Sequence, residues 1–425
     1  MADELLANDD RRSRAEALIT QRRCVFQQRL PGSALTRRIL VVGASTRAAA
    51  ESVLRAGAVP VCADLFADAD LQAIAQVYPT RSFPESLPAD VAGLQVDGWL
   101  AAGGLENSPE VLRALEALPS LGVPWGSSIA AVTRARDPWA WSAVLQAAGL
   151  PVLALRSQQH PPPADGTWMR KPLASAGGRA VAVWDEVAAC TPLEEPHYFQ
   201  ERAAGRIGSA IFTANSQGDV ICHGASWQLM GWAPACPPHT FAWCGGIGPI
   251  SIPAHLQKSL QSAGELCARQ LGLRGVFGLD LALLADKVQI LEINPRYPAS
   301  VELFELARRT SILKETFGLS SRPEPRNCRK RCVGKAILYA PRELRVPDWS
   351  RWIHAPSPWC VMPIRDIPVA GSVIAAGQPV CSVFALGRDA ESCERRLRER
   401  VQGWWRRLGL ADQTRQTSQG DRTFS

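Results

Sequence analysis

Gly278-Leu279-Asp280-Leu281-Ala282-Leu283-Leu284-Ala285-Asp286-Lys287-Val288-Gln289-Ile290-Leu291-Glu292-Ile293-Asn294-Pro295-Arg296 is the stretch that decides how the chain is read. Two apolar runs flank Ala285-Asp286-Lys287, the pattern of a β-hairpin over Gly275 to Ile293. A turn centred on Asp286 sets Asp280 opposite Glu292, with Cβ atoms ~4.5–5.5 Å apart. Asn294 lies two residues beyond Glu292 and shares its face. One face then carries two carboxylates and an amide oxygen. Such hard oxygen donors suit Mg²⁺, with Mn²⁺ as the alternative ion. A merely solvated hairpin face leaves Pro295-Arg296, directly after the trio, unexplained.

Two further segments carry chemistry upstream. In Trp168-Met169-Arg170-Lys171-Pro172-Leu173-Ala174-Ser175-Ala176-Gly177-Gly178-Arg179 a strand ends at a lysine and enters a loop of small residues. Such a loop lets backbone N–H groups approach phosphate oxygens, and the lysine adds a point charge. Only six of the 47 basic residues are lysines, so a lysine at this position stands out. The other segment, Tyr198-Phe199-Gln200-Glu201-Arg202, reads as a strand leaving one lobe for another. Its backbone can pair with an adenine edge, and its carboxylate can hold ribose hydroxyls.

The rest of the chain supplies the frame. Arg38 to Val42, Val59 to Ala63 and Val96 to Ala101 read as strands alternating with helices at Ala48 to Ala56 and Leu71 to Val77, the order of an open parallel sheet. Ser108 is a candidate N-cap for a helix over Pro109 to Leu118. Pro138 opens another helix and Gly149 closes it. An amphipathic helix is expected over Leu256 to Leu271 and a further helix over Val301 to Thr310. Arg322 to Arg331 reads as a linker, Gly334 to Phe384 as a small β-rich unit, and Asp389 to Gly403 as a charged helix.

Composition narrows the class. Apolar residues make up 46% and charged residues 20%, which excludes a disordered chain. No apolar run reaches ~18 residues, so no membrane span is expected. The N-terminus lacks the basic-then-apolar order of an export signal. The net charge of +7 is mild and gathers near the ends, as at Arg11, Arg12 and Arg14, so no nucleic-acid partner is expected. Twelve scattered cysteines without metal-site spacing read as reduced thiols. A cytoplasmic protein is the expectation.

Gly43 ends the first strand and Asp64 follows at the end of the second, a spacing that suits a dinucleotide site. The turn Gly43-Ala44-Ser45-Thr46-Arg47 has one glycine where three are needed. A scaffold or substrate-facing role for Gly43, Ser45 and Arg47 is the better reading. Gly103-Gly104-Leu105-Glu106-Asn107 ends another strand of the same sheet, which makes Gly104 and Glu106 further candidates for substrate contact.

Taken in order, the three chemical segments resemble the ATP-grasp superfamily, and within it the carboligase branch related to biotin carboxylase. The likeness spans roughly residues 38 to 400. It implies an N-terminal open parallel-sheet domain (37–127), a central two-lobed ATP-grasp domain of α+β type (128–325) and a small β-rich C-terminal domain (331–403), with tails at 1–36 and 404–425. Lys171, Ser175, Gly177, Gly178 and Arg179 match the phosphate loop. Gln200 and Glu201 match the adenine and ribose hinge. Asp280, Glu292 and Asn294 match the metal acids, and Arg296 the arginine that follows them. ATP and Mg²⁺ are the implied cofactors, with Lys171 and Arg296 as catalytic residues.

Two departures stand against the pattern. Many carboligases place a second lysine where this chain has Asp137-Pro138-Trp139, so Arg134 or Arg136 is the substitute. The segment Tyr297-Pro298-Ala299-Ser300-Val301-Glu302 differs in spacing from the bicarbonate-handling segment of biotin carboxylase, and Glu302 is kept only as a substrate candidate. The resemblance implies a ligase that activates a small-molecule carboxylate as an acyl phosphate and couples it to an amine-type nucleophile. A bicarbonate-using carboxylase, an ATP-grasp kinase, a non-catalytic nucleotide sensor and a role in a tetrahydromethanopterin pathway are the alternatives. A homodimer is compatible with it.

Overall fold

A computed structural model describes residues 37–317 and 331–410. The expected N-terminal tail, the proline-rich linker up to Lys330 and the chain beyond 410 lie outside the described residues. No described helix is long and apolar enough to cross a membrane.

The first unit is a parallel sheet of β1 (Arg38–Gly43), β2 (Val59–Asp64), β3 (Gln76–Pro79), β4 (Gly98–Ala101) and β5 (Val123–Pro124). Their spatial order is β3-β2-β1-β4-β5. Connections from β1 therefore leave to one side and those of β4 to the other, which opens a crevice at their carboxyl ends. The two candidate loops meet there, with Ala44 N–H donating to Gly103 O at 3.0 Å. A Cβ at Gly43 would fall 2.9 Å from the Ala102 Cβ, so the close approach requires glycine. The helix expected over Leu71 to Val77 is shorter. It stops at Gln72, and Gln76–Pro79 instead forms edge strand β3, with Val77 opposite Cys62 of β2. The open edge of β2 outweighs the local helical pattern. Ser108 stands at the N-cap position of the helix Pro109–Glu116, but its hydroxyl makes no capping bond.

The second unit is an antiparallel sheet of β6 (Leu155–Ser157), β7 (Asp165–Pro172), β8 (Ala182–Asp185) and β9 (His197–Glu201), in the order β6-β9-β7-β8. The third sheet holds β10 (Arg206–Ala214), β11 (Val220–Met230), β12 (Trp243–Ile250), β13 (Gly275–Leu283) and β14 (Val288–Asn294). It continues without a break into the C-terminal segment through β15 (Cys332–Tyr339), paired with β12. The helix Ala390–Arg407 lies along this extension and buries Trp404 and Trp405, so the tail expected from residue 404 begins later. The two apolar residues on its inner face hold the last turn to the sheet.

Helix Val301–Arg308 packs between the first and third sheets, with Val301 and Phe304 in one core with Ile39, Val53 and Phe384. Arg47 and Glu302 meet at this junction. Both are fully buried, and Arg47 Nη1 donates to Glu302 Oε1 at 2.5 Å while its Nε donates to Asp366 Oδ1 at 2.6 Å. Lys335 Nζ reaches the same Glu302 at 3.2 Å. The expectation that Arg47 and Glu302 face substrate is therefore corrected: buried charges must be paired, and these pair with each other. Glu302 is held down at about 2; burial opposes the shift, and Arg47 and Lys335 outweigh it.

Candidate active site

The hairpin forms as its spacing predicts at the end that matters. Asp280 pairs with Glu292 and Gly278 with Asn294, while Leu281 pairs with Ile290. One extra residue, Leu291, is thus bulged out beside the acids. Its carbonyl accepts from Gln200 Nε2 at 3.3 Å, which ties β14 to β9 of the second sheet. Gln200 Oε1 in turn accepts from Lys171 Nζ at 2.7 Å. The lysine of β7 and the acids of β13 and β14 are joined by this one buried amide.

Each acid has a protein partner. Asp280 Oδ1 accepts from Gln228 Nε2 at 2.8 Å, and Asp280 also pairs with the Asn294 side chain. Burial pushes the Asp280 carboxyl up to about 7, and the charge of Glu292 adds to the shift. Burial lowers Lys171 below the ordinary lysine range, against the pull of Glu292 and Asp280. Glu292 is ion-paired with Arg136. Arg136 ends the helix Ile129–Arg136, so of the two candidate substitutes it is the one at the site. Arg134 is used elsewhere: its Nη2 donates at 2.9 Å to Leu271 O at the end of helix Ala254–Leu271, satisfying a terminal carbonyl.

Arg296 extends beyond Asn294. Its Nη2 donates to Asn294 Oδ1 at 3.2 Å and its Nε to Glu106 Oε1 at 2.9 Å. Glu106 is buried, and its other oxygen accepts from Gly104 N–H at 2.8 Å. Burial alone would raise Glu106; Arg296 and Arg136 outweigh it and hold the carboxyl below its ordinary value. Glu106 is therefore engaged with Arg296, and Gly104 supports it. Gly43 is buried one strand away, and Ser45 is exposed at the crevice.

The loop after Lys171 folds over this ground. Gly177 and Gly178 have φ of 63° and 80°, and a Cβ at Gly178 would fall 1.8 Å from Phe241 O, so only glycine fits. Ser175 Oγ donates to Arg179 O at 2.7 Å. Ser175 O accepts from Arg136 Nη2 and from Asn107 Nδ2, both at 3.1 Å. Arg179 stands apart, exposed and paired with Glu195 at 3.2 Å. Glu201 is exposed at the far side of β9, and its carboxylate accepts from Ala154 N–H at 3.2 Å. The backbone at Gln200 and Glu201 is flanked by β6 and β7 on its two edges, so it does not offer the open hinge edge expected of it.

The structure thus gathers Lys171, Gln200, Asp280, Glu292, Asn294 and Arg296 at one place. Glu201 and Arg179 lie at its margin, and Arg47 and Glu302 lie outside it. Asn107 and Gln228 are partners that sequence reasoning did not single out. Asn107 has a signal, since it adjoins Glu106; Gln228 has none, being one polar residue in a long strand. Among the described residues no group of three or more His, Cys, Asp or Glu gathers at metal-binding distance. The two opposed carboxylates and the Asn294 oxygen still form a set of hard donors, and they fit Mg²⁺ completed by phosphate and water.

The fold thus combines a parallel sheet with a crevice at its switch point, an antiparallel lobe carrying a lysine loop, and a larger antiparallel sheet carrying paired acids. Residues 135–300 match the family model of the ATP-grasp domain. The large chain of carbamoyl phosphate synthase from Pseudomonas putida is 24% identical over 219 residues, 47% of this chain and 20% of that relative, so the chain spans about a fifth of that curated relative's length. Biotin carboxylase from Campylobacter jejuni superimposes with a TM-score of 0.59 at 13% identity, covering 85% of this chain and 89% of that one. An L-amino acid ligase from Bacillus licheniformis gives 0.61 at 14% identity, with coverage of 87% and 98%. At these identities the structural likeness is one of fold.

Proposed function

We propose that the protein is an ATP-dependent ligase that activates a substrate carboxylate as an acyl phosphate and joins it to an amine-type nucleophile. The observation that carries this reading is the placement of Arg296. It continues the metal-acid strand past Asn294, and Glu106 holds it from the sheet that flanks the crevice. A guanidinium so held keeps Nη1, whose contact to Tyr297 O is a long 3.5 Å, and the second N–H of Nη2 for a carboxylate. Bound Mg²⁺ would neutralise phosphate charge as the γ-phosphoryl group moves.

The chain's own residues do the rest in this reading. Asp280, Glu292 and Asn294 hold the metal. Lys171, desolvated beside Gln200, supplies charge to the phosphates. Ser175, Gly177 and Gly178 shape the loop over them and exclude water from the acyl phosphate. Arg296 binds the acceptor carboxylate and stabilises the oxyanion that forms on attack. Glu201 is a candidate for the ribose hydroxyls. Ligation of the kind named for the L-amino acid ligase from Bacillus licheniformis is the model for the reaction class.

The test is phosphate release from MgATP, measured against a panel of carboxylates with and without amines, and against bicarbonate alone. Release that requires a carboxylate and an amine together supports the ligase. Release with bicarbonate alone would make the protein a carboxylase. Transfer to a stable phosphorylated product would make it a kinase. Tight ATP binding with no turnover under any condition would leave a sensor.

A further inference from the structure

Two side chains outside the catalytic assignments converge on one carbonyl. Ser175 O, in the loop after Lys171, accepts two hydrogen bonds, from Arg136 Nη2 and Asn107 Nδ2. The donors come from different places: Arg136 from the end of helix Ile129–Arg136, Asn107 from the crevice loop of the first sheet. Arg136 also spends its other terminal nitrogen on Glu292. Its Nε is buried and has no partner among the described residues. This largely buried guanidinium is thus held by two contacts, to Glu292 and to Ser175 O.

We propose that Arg136 and Asn107 are positioning residues that latch the loop Leu173–Arg179 over the site, with Arg136 serving as counter-ion to Glu292 until a divalent cation takes that carboxylate. This rests on the metal role proposed for Glu292. Arg136 Nη1 holds Glu292 Oε1 and Arg136 Nη2 holds Ser175 O, so a divalent cation on this carboxylate would face the guanidinium charge that also fastens the loop. In the absence of nucleotide, metal binding and the loop contact are therefore linked, and the linkage is reciprocal: the pair weakens metal binding by the same factor by which bound metal weakens the pair. Asn107 holds the loop without touching the acids, so it should affect closure alone. It also adjoins Glu106, which holds Arg296, so one short loop fastens both the phosphate loop and the acceptor-side arginine.

The full chain, without nucleotide, is titrated with Mn²⁺ followed by electron paramagnetic resonance, and the amides of residues 173–179 are followed by hydrogen exchange. Arg136→Gln keeps a donor for Ser175 O but removes the charge on Glu292. It should bind Mn²⁺ at least about fivefold tighter than wild type, the lower range of ordinary site-to-site coupling. Asn107→Ala should leave Mn²⁺ affinity unchanged and speed exchange in the loop. Mn²⁺ alone should speed loop exchange in wild type and not in Arg136→Gln. Thermal melts of each variant confirm that it folds, and Arg136→Lys, which keeps the charge, should stay near wild-type Mn²⁺ affinity. Equal or weaker Mn²⁺ binding by Arg136→Gln, or loop exchange indifferent to both Asn107 and Mn²⁺, overturns the latch. Calorimetry with MgATP on the same samples separates this from the ligase reading. A chain that shows the linkage yet binds no ATP keeps the latch and loses the ligase.

Discussion

Arg296 and Glu106 lie in the segments that follow β14 and β4, strands of different sheets, 190 residues apart in sequence, and are joined by a 2.9 Å contact between Nε and Oε1. The arginine's side chain is mostly buried and the glutamate's almost wholly so. A charge-assisted pair in such surroundings fixes the plane of the guanidinium. Its Nη2 lies 3.2 Å from Asn294 Oδ1, so the arginine is also referenced to the acids. The distance from the acids to the acceptor position is thus set by side chains on rigid strands and one short loop.

Replacing Arg296 with alanine should leave ATP affinity nearly intact and lower kcat by ~10²–10³-fold, because the lost interaction strengthens as charge develops on the oxyanion. Nucleotide titration and substrate-dependent phosphate release on the same variant check it. Loss of ATP binding with normal turnover at saturating ATP would make Arg296 a nucleotide ligand instead.

Glu106→Gln keeps the shape of the side chain and removes its charge. Arg296 would keep a weaker bond, and a charge-assisted bond of this kind contributes ~1.5–3 kcal/mol. The expected result is a fall in kcat of roughly ten- to a hundredfold, smaller than for Arg296→Ala, with ATP affinity unchanged. Equal losses in the two variants would mean that Glu106 contacts the substrate itself.

The hairpin was readable because its period of two and its short turn fix which residues oppose. The bulge at Leu291 was not, since nothing in Gln289-Ile290-Leu291 marks an extra residue, yet it leaves the Asp280–Glu292 pair in place. Arg136 was readable only as one of two alternatives. Choosing it over Arg134 needs the end of helix Ala254–Leu271, which consumes Arg134 from more than a hundred residues away. Arg47 and Glu302 misled for the same kind of reason. Arg47, four residues past a strand end, and Glu302, in a segment compared with the bicarbonate-handling one, read as ligand contacts until the packing of their two helices against each other is seen.

Lys171→Ala should raise the ATP dissociation constant about tenfold or more, since a charged hydrogen bond to phosphate is worth ~1.5–3 kcal/mol. Lys171→Arg should recover part of that, because a planar fork does not reproduce a compact ammonium. The alanine variant also leaves Gln200 Oε1 without its donor, so a melt should accompany the titration. An unchanged dissociation constant removes Lys171 from the nucleotide site.

Glu302 is fully buried between Arg47 and Lys335 and titrates at about 2 when folded, against 4.5 for a free glutamate. Asp366, paired with the same two cations, is likewise held well below its ordinary value, against the cost of its burial. Both folded values are depressed, so the unfolded chain binds protons first as pH falls. The stability these carboxylates contribute is fully present above about pH 4.5 and is lost as pH falls from there toward 2. Each such group steepens the dependence by up to ~1.4 kcal/mol per pH unit inside that window. Other depressed carboxylates, Asp366 among them, add to the wild-type slope, so the readout is a difference. Urea unfolding of wild type and Glu302→Gln at steps between pH 6 and pH 3 should show the variant less stable at pH 6, because Arg47 loses the charge of a partner it contacts through both terminal nitrogens, and losing stability more gently below pH 4.5. Parallel curves in that range would show that Glu302 is not held charged in the folded protein.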